Sequence, residues 1–156
     1  MMRVIELDAN AAERMAALHA AAFPQEAAWS AAAFRVLLNQ SAILARGIMR
    51  DGTLAAIGVI QFADGQAEIL TLATAPEARR QGLAGMVLAA AERELRPEGL
   101  EGWLLDVAAD NSGARAFYAN LGFQTDGVRP KYYKRLEGPR VDAILMSKPV
   151  GGQIAR

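Results

Sequence analysis

The sequence predicts a mixed α/β (α+β) fold, with a central, mixed but mostly antiparallel sheet flanked by helices. Three observations carry this expectation. Apolar segments at Ala42 to Met49, Leu54 to Phe62 and Ala67 to Thr74 are separated only by Asp51-Gly52 and Asp64-Gly65, dipeptides that supply positive φ in tight hairpin turns. A helical stripe of Leu83, Met86, Val87, Leu88 and Ala91 follows directly. Two Ala-rich stretches precede the sheet. At 156 residues, 53% hydrophobic and 22% charged, the chain suits one domain over residues 1–150, with a flexible tail at 151–156.

In order, Met1 to Asp8 alternates and carries acids early, so it reads as a first strand and lacks the apolar centre of a secretion signal. Ala9 to Ala22 and Ser30 to Asn39 are rich in helix formers, Ser30 is placed as an N-cap, and Phe23-Pro24 separates the two helices. After the hairpins a helix is expected from Gln81 to Leu95, stopped by Pro97-Glu98-Gly99. Trp103 to Val107 reads as a strand. Asp110-Asn111-Ser112 offers caps for a helix to Leu121, with Gly122 to end it. Phe123 to Tyr133 and Val141 to Lys148 supply the last two strands, giving the order β-α-α-β-β-β-α-β-α-β-β without repeat or linker.

Composition narrows function. Seventeen basic and 17 acidic residues cancel, so no overall field favours nucleic acid or anionic lipid, and no apolar run approaches the roughly 20 residues of a membrane span. A soluble, cytoplasmic protein with neither partner is expected. With no cysteine there is no disulfide, thiolate metal site or cysteine nucleophile. His19 lacks acidic or histidine neighbours at ligand spacing, so it reads as structural and no metal is expected.

The chemistry concentrates where the third hairpin strand turns into a helix, at Arg79-Arg80-Gln81-Gly82-Leu83-Ala84-Gly85. A helix N-terminus leaves backbone N–H groups unpaired and carries partial positive charge, and small residues let a pyrophosphate approach them. Arg79 and Arg80 can add charge-assisted bonds to phosphate. Alternatively Gly82, Ala84 and Gly85 only permit close packing of helix on sheet. Neither a dinucleotide Gly-x-Gly-x-x-Gly nor a P-loop Gly-Lys-Ser/Thr string occurs.

Arg79, Gly82 and Ala84 match the Arg/Gln-x-x-Gly-x-Gly/Ala pattern of the GNAT N-acetyltransferases, which this turn resembles. Asn111, Ala114, Tyr118, Gly122 and Phe123 likewise match the family's Asn-x-x-Ala-x-x-x-Tyr-x-x-x-Gly-Phe segment. The resemblance implies the GNAT fold and acetyl-CoA as cosubstrate. It further implies pyrophosphate on the N–H groups from Arg80 to Gly85, pantetheine paired with Leu72, Ala73 and Thr74, and Tyr118 as the acid that protonates sulfur. Asn111 and Tyr118, two helical turns apart, can face one cleft; taken singly, they also read as a cap and a core aromatic.

Leu105-Asp106-Val107, Arg129-Pro130-Lys131-Tyr132-Tyr133 and Asp142-Ala143-Ile144-Leu145-Met146 resemble the RimI-like branch, which acetylates the N-terminal alanine of a ribosomal protein. Phe23-Pro24 and Trp29-Ser30 also resemble that branch's Phe-Pro-Trp-Ser, interrupted here by Gln25 to Ala28. The branch commonly has glutamate where this chain has Asp106. Glu68, in Glu-Ile-x-x-x-Ala, is a rival base. Tyr132, Tyr133 and Arg129 are candidates for a rim that grips an incoming peptide, or alternating strand residues. A small-molecule or lysine acetyltransferase and a non-catalytic acetyl-CoA-binding module remain as alternatives.

Overall fold

The computed structural model describes residues 2–151. Met1 and most of the expected tail, 152–156, lie outside the described residues. Seven strands form one sheet in the order β1-β2-β3-β4-β5-β7-β6. The strands are β1 (Met2–Glu6), β2 (Ile43–Arg50), β3 (Thr53–Ala63), β4 (Gln66–Thr74), β5 (Gly102–Ala108), β6 (Gln124–Tyr133) and β7 (Val141–Pro149). Helices α1 (Ala12–Ala22) and α2 (Ala31–Leu38) lie between β1 and β2, α3 (Leu83–Leu95) between β4 and β5, and α4 (Ser112–Asn120) between β5 and β6. Every pairing is antiparallel except β4 with β5, which α3 makes parallel by its crossover. No helix among the described residues is long and apolar enough to cross a membrane.

Local chemistry accounts for the boundaries. Asp51 and Gly52, with φ of 52° and 81°, and Asp64 and Gly65, with 51° and 79°, make the left-handed turns that match strand twist. Asp8 caps a short 3-10 turn at Ala9–Ala11, so the first helix starts later than the Ala-rich stretch suggests. Ser30 Oγ accepts from the Ala33 amide at 3.0 Å and starts α2. The third helix begins at Leu83 instead of Gln81, because Arg80 and Gly82 are both left-handed, at φ of 66° and 76°.

β3 lies between β2 and β4 and is buried from Leu54 to Ile60 on both faces. At Gly58 an added Cβ would come within 2.7 Å of Val87 Cγ1, so glycine lets α3 lie directly on the strand. One apolar cluster joins Met15, Phe34, Ile48, Ile57 and Val59 to Leu83 and Val87 at the start of α3. A second joins Ile60, Ile69, Leu88, Trp103, Leu105 and Met146 to Tyr118 and Phe123. β3, β4 and α3 contribute to both clusters, and β5 only to the second.

Candidate active site

β4 stays paired with β3 along its whole length, but pairs with β5 only from Gln66–Ile69 to Gly102–Leu105. Past Ile69 the two strands part, and the β5-facing edge of Leu70 to Thr74 has no neighbouring strand. Backbone groups there need partners from elsewhere. The register also slips at this level: Thr71 faces Val59 and Ile69 faces Ile60, so Leu70 is an extra residue. Two cavities open from the gap, one of about 710 Å³ toward the start of α3 and one of about 180 Å³ between β4, β5 and α1. Phe23, Glu26, Leu72, Asn111, Ala114 and Tyr118 line both.

The larger cavity ends at the turn before α3. The first helical bond runs from the Met86 amide to the Gly82 carbonyl at 3.1 Å, and no side chain caps the helix. The amides of Leu83, Ala84 and Gly85 therefore have no backbone partner among the described residues, which makes an anion cradle. Close packing does not explain the small residues, because a Cβ added at Gly82 or Gly85 would meet no atom within 4 Å. Arg79, Arg80 and Ala84 line the cavity, as do Leu72, Ala73 and Thr74. Arg79 Nη2 also donates to the Ala22 carbonyl at 2.9 Å, tying the turn to the end of α1.

Three of the expected binding residues face elsewhere. Gln81 accepts from Arg50 of β2, Leu83 is a core side chain, and Gly85 borders a separate groove with Leu88 and Trp103. Only their backbones can serve an anion.

Tyr118 stands where the cavities join, 7% exposed, its ring edge-on to Phe117 at 5.1 Å and Phe123 at 5.3 Å. Its hydroxyl makes no hydrogen bond to another described residue. Burial, with a smaller contribution from Tyr133, pushes its phenol well above the usual range, so it is protonated at any working pH. Asn111 is both a cap and a wall residue: its Oδ1 accepts from the Ala114 amide at 3.1 Å.

Asp106 lines the smaller cavity, with Oδ2 at 3.5 Å from Arg129 Nη1. That pair is half exposed at the arginine and correspondingly weak. Glu68 is left outside: it sits beside Leu104, in the stretch where β4 and β5 are still paired, and lines neither cavity. The two tyrosines divide. Between Arg129 and Tyr133 the register with β7 slips, Lys131 takes φ of 49°, and its amide donates to Asp142 Oδ1 at 2.9 Å. Tyr133 consequently enters the smaller cavity and donates to the Asp106 carbonyl at 3.1 Å. Tyr132 remains 44% exposed under the Arg129 guanidinium, 4.8 Å from its ring centre, and lines neither cavity.

Residues outside the sequence-based set complete the walls: Glu26, Arg135, Phe23, Trp29 and His19. The interrupted Phe-Pro segment was the available signal for Glu26 and Trp29; Arg135 had none. His19 stacks on Trp29 at 4.8 Å and near Phe23 at 4.9 Å, and its buried Nδ1 has no partner. Burial lowers its pKa to about 4. Because the folded value lies below the ordinary one near 6.5, the stability this difference confers is complete above pH ~6.5 and is lost as pH falls toward 4. Thermal unfolding should therefore become easier over that window by up to about 3 kcal/mol, and His19→Leu should flatten this part of the profile. An identical decline in both proteins would assign it to carboxylates alone.

The profile of the acetyltransferase (GNAT) family matches residues 10–123. The ribosomal protein bS18-alanine N-acetyltransferase of Escherichia coli strain K12 is 34% identical over 103 residues, 66% of this chain and 69% of that protein. The crystal structure of the ribosomal-protein-S18-alanine N-acetyltransferase from Escherichia coli superposes with a TM-score of 0.87 at 27% identity, covering 98% of this chain and 97% of that one. PaiA N-acetyltransferase from Thermoplasma acidophilum, in complex with coenzyme A, shares the fold with a TM-score of 0.78 at 18% identity, covering 96% and 99%.

Proposed function

The chain belongs to the GNAT acetyltransferase family and is an N-acetyltransferase, and we propose that its acceptor is a protein N-terminal α-amine, foremost that of an alanine-starting ribosomal protein. The observation that carries this reading is the 34% identity to the bS18-alanine enzyme, joined to a likeness of fold along nearly the whole chain. The smaller cavity supports it. About 180 Å³ walled by Phe23, Trp29, Leu70 and Tyr133 suits a short first side chain better than a long one.

Members of this family use acetyl-CoA, which brings the acetyl group as a thioester. The uncapped amides of Leu83, Ala84 and Gly85, with Arg80, would hold its pyrophosphate, and the free edge of Leu72 to Thr74 would pair with its pantetheine amides. Tyr118 is placed to give a proton to the departing sulfur. With Glu68 outside the cleft, Asp106 is the strand carboxylate that can accept a proton from the amine, directly or through water. Tyr133 would meet the acceptor inside the smaller cavity, and Arg129 would act from outside it through its pairing with Asp106.

Proton affinity favours an α-amine. With pKa near 8 it is roughly a tenth neutral at pH 7, whereas a lysine near 10.4 is only about 0.04% neutral. The gap is about 3.3 kcal/mol, which a short carboxylate sharing its charge with Arg129 need not supply for an α-amine. Such a reaction belongs in the cytoplasm, where acetyl-CoA and new ribosomal proteins coexist.

Mass spectrometry with labelled acetyl-CoA tests the assignment. In a mixture of an alanine-starting ribosomal peptide, an N-terminally blocked lysine peptide and a polyamine, label should enter the first at its N-terminus. Label in the polyamine or lysine alone would replace it with another acceptor class.

A further inference from the structure

Of the six residues that line both cavities, Glu26 is the one charged side chain. It lies in the Gln25–Ala28 segment that interrupts the Phe-Pro-Trp-Ser resemblance, so this carboxylate comes with the added residues. The segment is fixed from two sides. The Glu26 amide donates to the Phe23 carbonyl at 3.1 Å, and the Leu136 amide of the β6–β7 connection donates to the Gln25 carbonyl at 3.0 Å.

Arg135, in the same connection, has a side chain only 9% exposed. Its Nη2 donates to Asp110 Oδ1 at 2.6 Å, but its Nη1 has no hydrogen-bond partner. Glu26 Oε2 is 3.6 Å from that Nη1, close enough for attraction and too far for a hydrogen bond. The Glu26 carboxylate is therefore held at the cavity wall with its accepting capacity open. Asp106, by contrast, lines only the smaller cavity and faces Arg129.

We propose that Glu26 is a second acceptor-side carboxylate, which receives the incoming ammonium where the two cavities join and takes its first proton. The inference rests on the acceptor being an amine that enters through the smaller cavity. An ammonium that becomes an amide gives up two protons. The first passes to Glu26 and on to water. The second leaves nitrogen as the C–N bond forms and the C–S bond breaks, reaching water through Asp106, while Tyr118 protonates the sulfur and is reprotonated from water. Net, one proton is released to solvent and one ends on the thiol.

The surroundings suit this role. Desolvation raises the carboxyl of Glu26, opposed by Arg135 and aided by Asp110, which makes it a better proton acceptor than a surface glutamate. Tyr133 and Tyr118 face it as neutral phenols, and His19 of α1 is uncharged above pH ~6.

The test is kcat/KM against pH for wild type, Glu26→Gln and Glu26→Asp, using whichever amine the wild type acetylates best. Glu26→Gln should lose at least tenfold below pH ~8, and the loss should shrink at higher pH, where an α-amine is already neutral. Glu26→Asp should recover part of it, and acetyl-CoA affinity should stay within twofold. A second readout is equilibrium binding of the acceptor against its desamino analogue: wild type should prefer the amine, and Glu26→Gln should lose the preference.

Unchanged kcat/KM across pH, or an equal loss at every pH with weakened acetyl-CoA binding, would overturn the proposal; the latter would make Glu26 a packing residue. Should the best acceptor prove to be a small amine, the α-amine reading falls while Glu26 is still judged on that amine.

Discussion

Tyr118→Phe is expected to lower kcat by 10²- to 10⁴-fold, the ordinary contribution of a positioned general acid, while acetyl-CoA affinity stays within twofold. The structure separates this effect from damage. The ring belongs to the second apolar cluster and packs edge-on against Phe117 and Phe123, contacts that phenylalanine keeps. The hydroxyl has no hydrogen bond to lose. Removing a cavity-facing hydroxyl that no described residue pairs costs little, so the melting temperature should hold. Burial also keeps the phenol protonated far into alkali, so its ionisation should not appear as an alkaline limb of the wild-type rate profile below pH ~10. Full turnover in Tyr118→Phe would place the acid elsewhere. A wild type that binds acetyl-CoA and acetylates no amine would be a binding module.

What was legible in the sequence was local. Uncapped amides after Arg79-Arg80-Gln81-Gly82 follow from a glycine at a strand-to-helix turn, and the seven-residue spacing of Asn111 and Tyr118 places both on one cleft whatever the rest of the chain does. What stayed hidden depends on how distant segments meet. Asp106 and Glu68 are both strand carboxylates. Only the point where β4 parts from β5, past Ile69, leaves one inside the cleft and the other outside. Tyr132 and Tyr133 look alike until a register slip near Lys131 turns the second inward. Glu26 and Arg135 are brought together by loop packing across 109 positions, for which neither periodicity nor a short motif offers a signal.

Gly82→Ala and Gly85→Ala should move stability in opposite directions, and only the first should disturb acetyl-CoA. Gly82 sits at φ of 76°, where a Cβ costs about 1–2 kcal/mol. The space beyond it is empty to 4 Å and opens at the turn that carries the three free amides. A methyl there, or the shift that relieves it, disturbs the cradle, so acetyl-CoA Kd should rise at least tenfold. Gly85 lies in the first turn of α3, without a left-handed φ, and borders the groove of Leu88 and Trp103 instead of the cleft. Alanine there keeps the amide and gains up to about 1 kcal/mol of helix propensity, so the protein should melt higher and bind acetyl-CoA within twofold of wild type. Calorimetry paired with titration of acetyl-CoA reads both. If Gly82→Ala bound as wild type does, the pyrophosphate would have to rest on other groups and the amides of Leu83 to Gly85 would lose their role. If Gly85→Ala lost binding while gaining stability, the ligand would have to run along the far side of α3, and the larger cavity would not be its site.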